Sequence, residues 1–121
     1  SGASGFSGFE TAFAAVFTEL VRRDIHNDSN KAPDNTIGLK QLSSLISARP
    51  ARLLGLGSGP RKRGRIVPGY RADMVIVDTE SSWKVNPENF ITRGKNSPFV
   101  GKELYGRILM TLHEGRVVFD R

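Results

Sequence analysis

The strongest constraint on folding lies near the end of the chain, where a proline-containing loop leads into a β-hairpin. The loop, residues 95–101, reads KNSPFVG, and Pro98 disfavours helix while biasing Ser97 toward extended geometry. Residues 108–119 are then rich in β-branched and apolar side chains, with one break at Glu114-Gly115. This break predicts a tight turn between two antiparallel strands. The chain is therefore expected to end in a paired hairpin entered through an extended loop.

Length and composition permit one small domain and exclude several kinds of protein. The chain has 121 residues, of which 38% are hydrophobic, and no cysteine. A disulfide framework and a thiolate metal site are thereby excluded, and a reducing compartment fits. No run approaches the roughly 20 apolar residues of a membrane span, and the first residues lack the features of a signal peptide. We therefore expect a cytoplasmic protein without a membrane partner.

The first half of the chain has helical patterns. Ser7 and Glu10 have the spacing of a capping box, and an apolar stripe follows with helical periodicity, which predicts a helix over residues 8–23. The stripe consists of Phe13, Val16, Phe17, Leu20 and Val21. Alanines between these positions keep the flanks slim and suggest close packing against other elements. A second helix is predicted over residues 39–47, and a third, short helix from Pro50 to Leu54, ended by Gly55.

Strand patterns follow a basic loop. Ile66-Val67 and residues 72–78 are predicted as strands separated by a Pro68-Gly69 turn. Because residues 72–78 carry apolar side chains on both faces, we expect a central strand there. A short extended piece at 83–85 and a turn or 3₁₀ segment at 86–90 precede the final loop and hairpin.

The formal net charge is +6, and the basic residues concentrate in one run. This run is Arg61-Lys62-Arg63, with Arg65 and Arg71 nearby. A phosphate-binding or nucleic-acid-binding patch is one interpretation, and a solvated loop is the other. Only Tyr70 is an aromatic neighbour, so no stacking platform for bases is evident and no nucleic-acid partner is expected.

The residues alone reveal no catalytic constellation. The only two histidines, His26 and His113, lie in unrelated contexts, and without cysteine they do not make a metal site. Glu10 is interpreted as a helix cap and Asp73 as the polar residue that opens a strand, while Asp78 is an isolated carboxylate. We therefore assign no catalytic residue and no metal ligand to this chain.

The order of motifs nevertheless resembles the C-terminal part of a dihydroorotase, a cyclic amidohydrolase of the metal-dependent TIM-barrel superfamily. The superfamily motifs are PARLLGL at 50–56 and GYRADMV at 69–75. The motifs GFETA at 8–12 and KNSPFVG at 95–101 are similar to dihydroorotases in particular. The resemblance covers essentially the whole chain.

The resemblance implies an α/β architecture that is part of something larger. Residues 1–56 would be the last helices of a (β/α)8 barrel. Residues 57–121 would be the C-terminal part of a small β-sandwich, completed by N-terminal strands that this chain lacks. This arrangement would place the 95–101 loop in the sandwich and away from the substrate.

The resemblance also implies a reaction and a binding residue. Dihydroorotases use zinc for the reversible cyclisation of N-carbamoyl-L-aspartate to dihydroorotate in pyrimidine biosynthesis. Their metal ligands and general base would lie outside this chain, which alone would bind no zinc and be inactive. By position, the backbone pair that contacts the substrate in the family corresponds to Ser4-Gly5. The family more often has Pro-Phe-Gly where this chain reads Ala3-Ser4-Gly5, so Gly5 is the stronger candidate.

Several alternatives stay open. The superfamily motifs are shared with allantoinase and dihydropyrimidinase, which act on other cyclic amides. A non-catalytic dihydroorotase-like partner of aspartate carbamoyltransferase is a second alternative, and an independent basic binding module is a third. The expected partners are a small-molecule substrate, the rest of the enzyme chain and a second copy in a homodimer.

Overall fold

The computed structural model describes residues 5–22 and 37–121. They form helices and antiparallel strands, in agreement with the expected α/β class. In chain order the helices and strands are α1 (Ala12–Leu20), α2 (Leu39–Ser43), α3 (Arg49–Leu53), β1 (Met74–Asp78), β2 (Trp83–Lys84), β3 (Glu103–Leu104), β4 (Arg107–His113) and β5 (Arg116–Asp120). No helix in this part of the chain is long and apolar enough to cross a membrane.

The chain divides into two compact units, and each combines segments that are distant in sequence. The first unit contains the described residues 5–22 and 78–107, and the second contains residues 37–77 and 108–121. The predicted boundary at residue 56 concerns the parent enzyme and stays a prediction.

In the first unit, α1 packs on the antiparallel pair of β2 and β3 through its small side chains. The buried cluster comprises Ala14, Ala15, Val85, Phe90 and Leu104. Ala14 and Ala15 keep only 2% and 8% of their surface exposed, whereas Val16 and Leu20 of the predicted stripe are exposed. Phe17 of the stripe is also buried, with 4% of its surface exposed, so the packed face combines the slim alanine flank with part of the predicted stripe.

The predicted capping box of α1 is wrong. The helix begins at Ala12 after Thr11, which makes no side-chain cap hydrogen bond. The Ser7 hydroxyl instead bonds to Thr92, and the Glu10 carboxylate accepts hydrogen bonds from the 91–92 backbone. Partners distant in sequence have displaced the local cap that the spacing suggested.

Gly106 lets the chain before β4 lie against α1. A Cβ at this position would come within 2.9 Å of the Phe13 ring and 3.0 Å of the Phe17 ring. Its φ of +80° is also in the left-handed region, which favours glycine. Space and backbone conformation therefore both require glycine here.

The second unit begins with one continuous helical run where two helices were predicted. A π-helical turn, Ser44–Ala48, joins α2 to α3, and the residues at both joints have right-handed helical angles. Pro50 is the second residue after this turn, behind Arg49. Because proline cannot donate the regular backbone hydrogen bond, a locally wider turn before it keeps the helix continuous. Of the predicted apolar face of α2, Leu42 is buried to 1% exposure, while Leu39 stays exposed.

The hairpin prediction is confirmed. β4 and β5 pair antiparallel, and both turn residues have positive φ, 50° at Glu114 and 80° at Gly115. These values match a two-residue turn suited to the twist of a hairpin. The register shifts between Thr111 and Leu112, so Val118 is an extra bulged residue on β5.

The sheet order in the described residues is β1-β4-β5, so β4 is central. The predicted central strand at 72–78 is shortened to β1 and lies at an edge, with Val75 and Ile76 exposed. Each face of the strand therefore has one exposed apolar side chain, whereas Met74 and Val77 are half-buried. Ile66-Val67 forms no strand, whereas the predicted 3₁₀ segment is confirmed at Pro87–Asn89.

Candidate functional site

Gly5 is the sequence-predicted site residue that the structure describes. It is exposed and has a φ of +84°, in the left-handed region that favours glycine. A Cβ built on it would meet no atom within 4 Å, so the requirement for glycine comes from the backbone alone. Ser4, the other candidate, lies outside the described residues.

Asn96, from the KNSPFVG motif, holds the Gly5 segment at two points. Its side-chain Nδ2 donates a hydrogen bond to the Gly5 carbonyl oxygen at 3.0 Å. Its main-chain carbonyl accepts one from the Ser7 N–H at 2.7 Å. The motif that the family architecture places away from the substrate therefore contacts the backbone of the candidate substrate-binding residue.

Glu10 extends the same connection along the chain. Its carboxylate accepts hydrogen bonds from the N–H groups of Ile91 and Thr92 at 3.1 and 3.0 Å, and from the Thr92 hydroxyl at 2.8 Å. The Ser7 and Thr92 hydroxyl oxygens are 3.1 Å apart. We call this set, Gly5, Ser7 and Glu10 with Ile91, Thr92 and Asn96, the N-terminal clasp.

The protonation of Glu10 reflects this arrangement. Partial burial raises the pKa of the carboxyl, but the hydrogen bonds from Thr92 and Ile91, with the charge of Lys95, outweigh that effect. The net pKa is therefore below the ordinary value, and the group is a charged acceptor at neutral pH. Glu10 therefore fixes the backbone at Ile91 and Thr92, because it accepts hydrogen bonds from both N–H groups and from the Thr92 hydroxyl.

Charged side chains gather at the turn of the hairpin in the second unit. The Asp73 carboxylate lies 3.2 Å from Arg63 Nε and 3.1 Å from His113 Nδ1, and it accepts the Glu114 N–H at 2.7 Å. Glu114 in turn pairs with Arg63 at 3.1 Å and with Arg71. We call Arg63, Arg71, Asp73, His113 and Glu114 the hairpin charge cluster. Asp73 thus does more than open a strand, because it anchors the turn.

Two arginines of the basic region, Arg63 and Arg71, belong to this cluster. Arg63 and Arg71 are committed to carboxylates, so they are not available as a free anion-binding patch. Arg49, Arg52 and Arg65 line a cavity of about 410 Å³ in the same unit, together with Arg63 and Tyr70. Those three arginines are exposed side chains and remain well solvated without a ligand. Of the basic region itself, Arg63 and Arg71 are thus paired, whereas Arg61, Lys62 and Arg65 are exposed.

The other singled-out residues have structural contacts. Asp78 accepts the N–H groups of Ser81 and Glu80 at 3.1 and 2.8 Å, and these hydrogen bonds lower the pKa of its carboxyl. They close the turn that follows β1. His113 is a largely exposed partner of Asp73. His26 lies outside the described residues.

The described residues do not fit a zinc ion. Among them, no group of three His, Cys, Asp or Glu side chains is placed to hold a metal. The three side chains that come nearest to such a group are Asp73, His113 and Glu114. Both carboxylates are already paired with arginine, and Asp73 also accepts the Glu114 N–H. We therefore derive no reaction step through a metal from this chain.

Asn96 is the residue that sequence reasoning missed. The KNSPFVG motif was informative as a family signature and as a helix-breaking loop, and its contact with Gly5 could not be read from either. One signal was present, since asparagine side chains commonly bond to backbone groups in loops. The partner, 91 residues away, was not predictable.

Comparison with known proteins finds relatives that are named dihydroorotase. The chain is 38% identical over 120 residues to the dihydroorotase of Clostridium botulinum, covering 99% of this chain and 26% of that protein. It is 37% identical over 117 residues to the dihydroorotase of Bacillus cytotoxicus and 35% identical over 119 residues to that of Lactiplantibacillus plantarum. No protein-family model matches the chain.

The sequence motifs and these relatives both point to dihydroorotases. The chain is homologous to dihydroorotases along nearly its whole length, which confirms the resemblance. It spans about a quarter of the length of the curated relatives it matches.

Proposed function

We propose that the chain is the C-terminal part of a dihydroorotase. The complete protein would catalyse the reversible cyclisation of N-carbamoyl-L-aspartate to dihydroorotate, in the cytoplasm and with zinc supplied by ligands outside residues 1–121. The observation that carries the proposal is identity of 33–38% to proteins named dihydroorotase over almost the entire chain.

The architecture belongs to the same proposal. Residues 1–56 would close a (β/α)8 barrel, and residues 57–121 would contribute strands to a sandwich completed by other parts of the protein. The exposed Val75 and Ile76 on the edge strand β1 support this arrangement, because an apolar edge is usually covered in a folded protein.

Within that enzyme, this chain would supply backbone contacts to the substrate. Gly5, and Ser4 before it, would approach the flat pyrimidine ring through the main chain. The left-handed φ of Gly5 supports this role, because a residue without Cβ permits the closest approach of backbone and ligand.

Substrate choice is tested by assaying the full-length protein on three cyclic amides. We expect turnover of dihydroorotate and little or none of allantoin or dihydrouracil. Preferred turnover of either alternative would assign the protein to allantoinases or dihydropyrimidinases. No turnover of any of them by the metal-loaded protein would favour the non-catalytic partner of aspartate carbamoyltransferase.

A further inference from the structure

We infer that Asn96 is a positioning residue for substrate binding, acting through the backbone of Gly5. The inference rests on the proposed function, since it concerns the same substrate contact. Asn96 lies on the other side of the N-terminal clasp, 91 positions from Gly5 in sequence.

One of the two backbone polar groups of Gly5 is hydrogen-bonded within the described residues. Its carbonyl oxygen accepts the Asn96 amide at 3.0 Å. Its N–H makes no hydrogen bond within the described residues. Because Gly5 is an exposed residue, this N–H beside an anchored carbonyl could donate to a carbonyl or carboxylate oxygen of a planar ligand.

The residues on both sides of Asn96 are held by hydrogen bonds. Ser97 is 9% exposed, and its hydroxyl oxygen accepts the Phe99 N–H at 3.3 Å. Lys95 Nζ donates to the Phe90 carbonyl at 2.8 Å, and Pro98 restricts the backbone beyond. Asn96 therefore projects from a loop that is tied on both sides, as a positioning group requires.

The side chain and the main chain of Asn96 contact the N-terminal segment separately. The bond from the Ser7 N–H goes to the Asn96 main-chain carbonyl, so it survives any substitution of the side chain. Asn96→Ala removes only the bond to Gly5 and leaves the Gly5 segment attached at Ser7. Without the amide, the left-handed Gly5 regains conformational freedom that must be lost again when the substrate binds.

The test uses steady-state kinetics of the full-length protein with dihydroorotate. For Asn96→Ala we expect a rise in KM of about three- to tenfold, with kcat within about twofold of wild type. Asn96→Asp, which keeps the shape but loses the donor at neutral pH, should raise KM at least as much. Asn96→Gln restores an amide donor and should recover part of the affinity.

The matched control is Asn86→Ala, in the same unit. It removes the side-chain acceptor of the Glu88 N–H and so perturbs the 3₁₀ turn without touching Gly5. We expect unchanged KM for this variant, with a loss of thermal stability similar to that of Asn96→Ala. A KM that rises equally in both variants would show a merely structural role and overturn the inference.

The variant Gly5→Ala separates the substrate contact of Gly5 from the positioning role of Asn96. If Gly5→Ala raises KM while Asn96→Ala leaves it unchanged, the substrate contact stands and the positioning role of Asn96 is overturned. If wild-type protein turns over no dihydroorotate, the proposed function fails, and the inference fails with it. A KM effect in both variants, without an effect in Asn86→Ala, supports the inference.

Discussion

The N-terminal clasp and the hairpin charge cluster both join distant segments through polar side chains, but they do so with different chemistry. In the clasp, Glu10 and Asn96 bond mainly to backbone groups, at 2.8–3.1 Å. In the cluster, Asp73 also accepts one backbone N–H, from Glu114, but the other contacts join charged side chains at the surface, with 43% of Glu114 and 59% of His113 exposed. Bonds to the backbone fix the path of the chain, whereas exposed ion pairs contribute little after solvation and screening. The clasp is therefore the more specific structure.

The largest effect is expected in the unit that contains the clasp. Gly106→Ala adds a Cβ that collides with Phe13 and Phe17 and is strained at a φ of +80°. We expect a loss of about 2–4 kcal/mol in the free energy of unfolding, from overpacking and backbone strain together. Chemical denaturation of the full-length protein measures it.

The matched control is Gly101→Ala, at a φ of +78° with no atom within 4 Å of the added Cβ. This variant carries the backbone strain alone, about 1–2 kcal/mol. Equal losses in the two variants would show that close packing of α1 is not what requires Gly106.

A smaller effect is expected at the clasp itself. Glu10→Gln removes a charged acceptor from two backbone N–H groups, and we expect a loss of about 1–2 kcal/mol in the free energy of unfolding. Glu88→Gln is the control, because Glu88 is exposed and its carboxylate has no partner in the described residues. It should change stability by less than about 0.5 kcal/mol.

The pH dependence of the free energy of unfolding tests the same Glu10 hydrogen bonds independently. Since the pKa of Glu10 is lowered in the folded protein, its contribution is fully present above the unfolded value of 4.5 and is lost as pH falls through the folded pKa. The stability difference between wild type and Glu10→Gln should therefore shrink under acidic conditions. A difference that grows on acidification would refute the assigned hydrogen bonds.

The sequence predicted the elements whose cause is local. The hairpin turn at Glu114-Gly115 and the 3₁₀ turn at Pro87–Asn89 follow from short-range chemistry, and both are present. The predictions for Ser7 and Glu10 failed because their partners lie more than 80 residues away. The same limit hid the contact of Asn96 with Gly5, although Gly5 itself was selected through the family resemblance.

The smallest effect is expected in the hairpin charge cluster. Arg63→Ala removes ion pairs to Asp73 and Glu114 at side chains that remain partly exposed. We expect a loss below about 1 kcal/mol that decreases further at high salt. Arg93→Ala, at an exposed arginine of the first unit, is the control. A loss above about 2 kcal/mol, insensitive to salt, would make the cluster as specific as the clasp.

We propose that this chain contributes binding geometry to an enzyme whose chemistry lies elsewhere in the protein. The most direct test of this proposal compares dihydroorotate hydrolysis by the full-length protein and by purified residues 1–121, both with added zinc. We predict turnover by the full-length protein and none above background by residues 1–121. Turnover by residues 1–121 alone, or its absence in the full-length protein, would contradict the claim.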